Sequence, residues 1–371
     1  SSSVTFNTTT IKPKFVTNGY TWAKSFDSSY YAYYDYKSHP QKANSAFPFS
    51  LDYLDALQQR NNDPSLSKTD IDPATGNYVY YGNTDWQKEL YANTDPATDQ
   101  SLSVSGGGEK SSYYLSGHYM YQKGLFKYSP DKYKMYNIRS RGTIEPFKWL
   151  KLEDNLQFSK MTYFYPLINH ADPVTSIWRR ISDEFFPVAM LFNPDGTLTQ
   201  NAAITMGSFV SGNNYSNQST NTISNTSGFT AKFLKDRLRV HGDLTLGYTS
   251  YLETRLFTPV PYAIQPGVEL TMGDSRMNEQ NNKTDYLGAN LYTEYERSFG
   301  KHYFKGLIGY NYEHSLLKTR YYQRYGLINP DLPDFSLIDG QDFTLTGGGS
   351  EWKTLGSFFR FNYNYAEKYL L

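Results

Sequence analysis

From Tyr113 to Gln122 apolar and polar residues alternate with a period of two. Tyr113, Leu115, Gly117, Tyr119 and Tyr121 share one face of an extended chain, and Tyr114, Ser116, His118, Met120 and Gln122 share the other. A helix would mix the two sets. The same split sets Leu238, Val240, Leu244, Leu246 and Tyr248 against Arg237, Arg239, His241, Asp243 and Thr245. It sets Leu287, Ala289, Leu291 and Tyr295 against Tyr286, Asn290, Tyr292, Glu294 and Glu296, and then Phe304, Ile308, Tyr310 and Tyr312 against Lys305, Asn311 and Glu313. Near the end, Leu355, Phe359, Phe361, Tyr363 and Tyr365 oppose Thr354, Arg360, Asn362 and Asn364. Less regular runs cover 3–9, 132–145, 150–162 and 222–234, and a strand over 100–105 precedes three glycines. The pattern predicts about ten strands.

These strands are long for a soluble sheet, and roughly ten residues of tilted strand cross a bilayer. Their connections alternate in length. Short ones fall at 106–110, 146–149, 235–236, 299–302 and 366–368; between them lie 12–98, 124–131, 163–221, 257–283 and 318–351. Outer-membrane barrels have short periplasmic turns and long extracellular loops, so this order predicts an all-β fold and gives it an orientation: a transmembrane antiparallel β-barrel segment, one domain over residues 1–371. Gly106, Gly107 and Gly108 are expected to supply positive φ angles in a hairpin, and Gly347–Gly349 to lie in a loop. Helical spacing of Val174, Ile177, Trp178 and Ile181 predicts a short helix over 172–186, and Leu51, Leu54 and Leu57 another within 47–59.

Composition supports the membrane reading against a mean hydropathy of -0.64 that resembles a soluble protein. Barrel strands hide their apolar residues at alternate positions, so the average stays low. No segment approaches the roughly 18 consecutive apolar residues of a spanning helix, which excludes a helical membrane protein. The chain carries 36 Tyr, 23 Phe and 5 Trp. Rings with polar tips suit the headgroup level of a barrel, although tyrosine also serves any glycan-binding β-protein. Lys plus Arg equals Asp plus Glu at 36 each, so nothing in the charge points to nucleic acid. There is no Cys, hence no disulfide framework. The opening SSSVTFNTTT has no signal segment, and the last residues stop within a strand pattern, so the expectation is an internal piece of a larger protein.

Catalytic, cofactor and metal chemistry find little support. Asp183 and Glu184 are neighbours that point to different sides, unlike a glycosidase pair. Asp70, Asp72, Thr75 and Asn77 lack the position-12 Glu of an EF-hand and suit a turn. The six His form no i, i+4 pair, and neither GGG opens a helix as a phosphate loop does. Candidate contacts to substrate or partner are the loop aromatics Trp22, Tyr30, Tyr31, Tyr33, Tyr34 and Tyr36, with packing inside the loop as the competing role. Trp178 and Arg179 in the predicted loop helix, and Asn213, Asn214 and Tyr215 in the next loop, complete the set.

Several ordered blocks resemble one family. NTDW at 83–86, LSVSGG, EKSSYYLSGHYMYQKGLF, YNIR and WLKL at 149–152 are similar to the start of the barrel in SusC/RagA-like TonB-dependent transporters, and FFRFNYNYAEKYLL at 358–371 to a later hairpin. Met135 stands where the family usually has arginine. The resemblance implies a barrel of about 22 strands, of which this piece would be under half, with the plug domain and amino-terminal extension outside it. It also implies import of a bulky nutrient, an oligosaccharide or an oligopeptide, across a Gram-negative, Bacteroidota-like outer membrane. The implied partners are TonB, a SusD-like surface lipoprotein and outer-membrane lipid; no enzyme activity or cofactor is implied. From the residues alone, a secreted glycan-binding or adhesive β-protein and a passive porin remain alternatives.

Overall fold

A computed structural model describes residues 2–8, 15–44, 47–168, 185–211, 213–340, 342–366 and 369–370. An open, 11-stranded antiparallel sheet dominates it. Its order is β1 (Ser2–Thr8), β6 (Thr94–Gly108), β7 (Ser111–Lys123), β8 (Lys132–Phe147), β9 (Leu150–Pro166), β10 (Tyr215–Phe233), β11 (Leu238–Phe257), β14 (Arg276–Phe299), β15 (His302–Tyr325), β16 (Phe343–Tyr365) and the stub β17 (Tyr369–Leu370). The pairs β2 (Lys42–Asn44) with β3 (Phe47–Pro48), β4 (Thr69–Ile71) with β5 (Tyr78–Tyr80), and β12 (Val260–Gln265) with β13 (Val268–Met272) lie in the loops.

Register carries the side-chain alternation across the whole sheet. Leu156, Asn225, Leu246, Leu287, His314 and Lys353 occupy one row, strand to strand. On the phase to which these belong, large apolar side chains stand open: Leu102 is 78% exposed, Leu355 75% and Phe359 85%. A sheet in water would cover such a face, whereas acyl chains cover it in a bilayer. Near the short turns the rings of Phe147, Trp149 and Phe233 stack at 5.6 and 6.0 Å, forming part of an aromatic girdle. The opposite phase carries Arg239, His241, Asp243, Asn290, Glu294, Asn311 and Arg360 and faces the lumen.

Two expectations about glycine are corrected. Strand β6 runs through Gly108, and the turn is made by Glu109 and Lys110; none of Gly106, Gly107 and Gly108 has a positive φ. The glycines instead make room. Gly106 is in register with Tyr113, and a Cβ there would stand 2.6 Å from its hydroxyl, so the ring lies over bare backbone. Gly347–Gly349 likewise pair within β16, opposite Arg320, Thr319 and Lys318.

The strands also run past the loop limits read from alternation. β14 and β15 have 24 residues each, and β10 begins at Tyr215. At and above the headgroup level neither face meets acyl chains, so segments such as 215–222 pair as strand while polar on both phases. Their sequence therefore shows no alternation. The helix sought within 47–59 is α2 (Leu51–Asn62): Phe47 and Pro48 belong to β3, and the Ser50 hydroxyl caps the helix by accepting from the Tyr53 N–H at 3.1 Å. The helix predicted over 172–186 falls almost wholly outside the described residues.

Candidate functional site

Above the sheet the long connections fold together over a core of their own. α1 (Gly19–Tyr33), α2, α3 (Trp86–Leu90), α4 (Gln200–Thr205), α5 (Gly207–Ser211) and the β12–β13 hairpin enclose Ala23, Leu57, Trp86, Leu90, Val188, Ala202, Met206, Phe209 and Val260, all buried. These loops are thus a packed cap. Burial of this kind outweighs the ordering cost of a long loop, which polar segments cannot do.

The NTDW segment stitches that cap. Asn83 Oδ1 accepts from the Gly19 N–H at 2.6 Å, tying the start of α1. The Thr84 hydroxyl donates to the Ala189 carbonyl at 2.6 Å, and its N–H to Pro187 at 2.9 Å. Asp85 caps α3, accepting from Lys88 N–H at 3.2 Å. Trp86 stacks on Phe185 at 4.5 Å and donates its indole N–H to the Phe186 carbonyl at 2.8 Å. Close approach is required here: a Cβ on Gly19 would lie 2.3 Å from the Gly82 carbonyl oxygen. Asn83, Thr84 and Trp86 therefore join segments far apart in sequence, and Asp85 caps the helix that begins at Trp86.

The loop aromatics divide. Trp22 is packed into the core, stacked on Phe26 at 5.4 Å and Phe186 at 4.8 Å. Tyr31 stacks on His39 at 4.3 Å, and His39 Nδ1 bonds Asp27 at 2.7 Å. Tyr30 and Tyr34 approach to 4.5 Å. Tyr33 and Tyr36 stand out into solvent, 81% and 67% exposed, around Asp35 and Tyr36 in the left-handed region. Asn214 is fully buried, its carbonyl oxygen accepting from the Thr258 N–H at 2.8 Å, so it braces two loops. Asn213 is half-buried beside it, and Tyr215 opens β10 against Phe164 at 5.3 Å. Trp178 and Arg179 lie outside the described residues. The acidic turn uses its own groups: Thr75 donates to Asp72 at 2.7 Å and Ala74 N–H to it at 2.9 Å.

Beneath the cap the lumen phase presents tyrosines that the loop-centred reading passed over: Tyr133, Tyr163, Tyr165, Tyr251 and Tyr321. Among them sits Glu253, buried yet accepting from Ser216 at 2.7 Å, Gln218 at 3.1 Å, Tyr251 at 3.1 Å and the Arg255 guanidinium at 2.7 and 3.2 Å. The carboxylate is satisfied from two strands, and Arg255, with 44% of its side chain exposed, is held facing the lumen. The signal for this wall lies in β11, where Tyr251, Glu253 and Arg255 alternate with Leu252 and Leu256 past Tyr248. In the loop between β7 and β8, Asp131 has its carboxyl pushed up, first by burial, while its own backbone N–H pulls it down and the charge of Asp95 pushes it up further. Gly124, whose N–H donates to the Asp131 carbonyl at 2.8 Å, leaves the space that the Asp131 carboxylate fills. Chemically the wall offers ring faces, hydroxyls and the fixed guanidinium of Arg255; among the described residues no cluster of three or more metal-ligating side chains occurs.

No family model matches the sequence. A protein named TonB-dependent receptor P3 from Formosa agariphila is 27% identical over 309 residues, which cover 79% of this chain and 29% of that protein. The RagAB peptide importer in its closed-closed state shares the fold with a TM-score of 0.68 at 18% identity, over 98% of this chain and 40% of the matched one. Its open-open state gives 0.68 over 99% and 40%. The chain spans less than half the length of each relative. Sequence likeness to the receptor and fold likeness to RagAB agree with the lipid-facing phase, the girdle and the capped lumen: the chain has the fold of part of an outer-membrane β-barrel and is similar to SusC/RagA-like TonB-dependent transporters.

Proposed function

We propose that this wall serves the TonB-dependent import of a bulky nutrient, an oligosaccharide or an oligopeptide, through a transporter that works with a SusD-like surface lipoprotein. The observation that carries the reading is the tyrosine-lined lumen surface with Arg255 fixed at its centre, roofed by an ordered cap. Ring faces stack on sugar rings or on peptide side chains, and a fixed guanidinium pairs with a carboxylate of either cargo. TonB supplies the energy in this reading, so uptake depends on the proton gradient. The test is uptake of labelled oligomers by cells carrying the parent gene, with and without TonB or an uncoupler. Loss of uptake in both cases is the expected result, and uptake that persists without TonB would establish a passive porin instead. Calorimetry with peptide and glycan oligomers on the purified transporter then assigns the cargo.

A further inference from the structure

The lipid-facing phase changes chemistry towards the extracellular side. Lys123, Lys132, Lys134, Lys283, Lys318 and Arg320 all stand on that phase, each 10–20 residues from the periplasmic turn of its strand by the numbering, roughly. The apolar band of a barrel is about 25 Å tall, which about ten residues of tilted strand span. The six cations therefore stand past the hydrocarbon, at and above the headgroup level. Their arrangement costs energy: Lys123 is directly in register with Lys132, and Lys283 with Lys318. Like charges directly opposed on one face destabilise a sheet unless an anion lies between them. Among the described residues none of the six forms an ion pair; Lys132 and Lys134 meet only the rings of Phe164 at 5.6 Å and Tyr121 at 5.9 Å. Of the nearby acids, Glu351 is occupied by His314 and Lys353, both at 2.8 Å, and Asp285 lies one row closer to the membrane centre, opposite Leu316 and Tyr248.

We propose that these opposed lysine pairs form two seats for the phosphate groups of an anionic lipid in the outer leaflet. A phosphate between two ammonium groups turns each repulsion into two attractions, and the apolar rows below receive the acyl chains. Membrane-apposed basic clusters bind anionic headgroups in this way. The inference rests on the chain standing in an outer membrane and is independent of what the transporter imports.

The experiment uses the whole transporter, purified in a neutral detergent and probed by native mass spectrometry with a diphosphorylated lipid A and with the same lipid after phosphatase treatment. The wild type is expected to retain the phosphorylated lipid at least ten-fold better. The quadruple variant Lys123→Gln, Lys132→Gln, Lys283→Gln, Lys318→Gln is expected to lose that preference, and the matching set of Lys→Arg changes to keep it. Heat-modifiable electrophoresis checks folding; if the quadruple variant fails it, the variant Lys283→Gln, Lys318→Gln is measured alone and is expected to lose about half the retained lipid. Equal retention of the dephosphorylated lipid, an undiminished preference in the Gln variants, or full displacement by millimolar inorganic phosphate would each overturn the proposal.

Discussion

Trp86 tests whether the cap is a cooperative unit separate from the wall below it. The residue is 5% exposed, stacks on Phe185 and holds the Phe186 carbonyl through its indole N–H. Replacement by alanine removes a buried ring and leaves a cavity, a change that costs about 3 to 5 kcal/mol in protein cores. Its contacts all lie in loop segments, so the cost falls on opening of the cap. At about 1.4 kcal/mol per factor of ten, cap opening rises on the order of a hundred- to several-thousand-fold. Hydrogen exchange of the whole transporter in lipid nanodiscs reads this directly. Amides of α1, α2 and 187–193 should lose protection by that factor, while those of β14 and β15 stay as they were. Trp86→Phe, which keeps a ring but orphans the Phe186 carbonyl, should lose about 1 to 3 kcal/mol. Equal loss in the strands, or an unchanged cap, would refute the assignment of Trp86 as a loop stitch.

Three further expectations follow from the faces and the buried charges. Leu244→Arg places a cation in the lipid phase, in a row with the uncharged Ala289, Tyr312 and Leu355, and should cost about 2 to 4 kcal/mol in urea unfolding from detergent or vesicles, whereas Thr245→Arg, one residue away and lumen-facing, should cost close to nothing; equal costs would mean that the faces are reversed. Glu253→Ala leaves Ser216, Gln218 and Arg255 without their acceptor and should cost about 2 to 3 kcal/mol, a value already reduced for the exposure of Arg255, and it should weaken cargo binding in calorimetry; unchanged stability would remove its bracing role. Asp131 has a raised carboxyl in the folded state, so its contribution to stability is complete below the unfolded value of about 3.9 and is lost as pH rises through the folded value. Asp131→Asn should accordingly stabilise the β7–β8 mouth at pH 7 and make no difference near pH 3, as exchange protection of 124–131 will report.

How much of this was legible in the sequence depended on depth in the membrane. At the lipid level one face is apolar and the other polar, and there the alternation of Leu238 to Tyr248 or Phe304 to Tyr312 assigned both strand and phase. Above that level the same strands continue through 215–222 and 346–350 with polar or glycine residues on both phases, and the signal vanished although the pairing did not. Glycine misled for a related reason. Gly106 was read as turn chemistry, but what decides its place is the Tyr113 ring lying across it from the next strand, a contact between strands that local sequence does not encode.

The candidate contacts show the same division. Trp22 and Asn214 were reasonable choices for ligand contact by residue type, yet the fold uses one as core and the other as a brace, because 22 meets 186 and 214 meets 258 only once the cap has closed. The sequence by itself determined the barrel class, the two faces of each strand and the order of short and long connections, since a period of two and turn chemistry are local properties. Tertiary structure alone decided that the long loops pack into a cap stitched by residues 83–86, that Ser216 and Gln218 of one strand brace Glu253 of the next, and that Lys283 and Lys318 oppose one another across strands. Each of these depends on contacts closed by register and loop folding, over separations that no local pattern records.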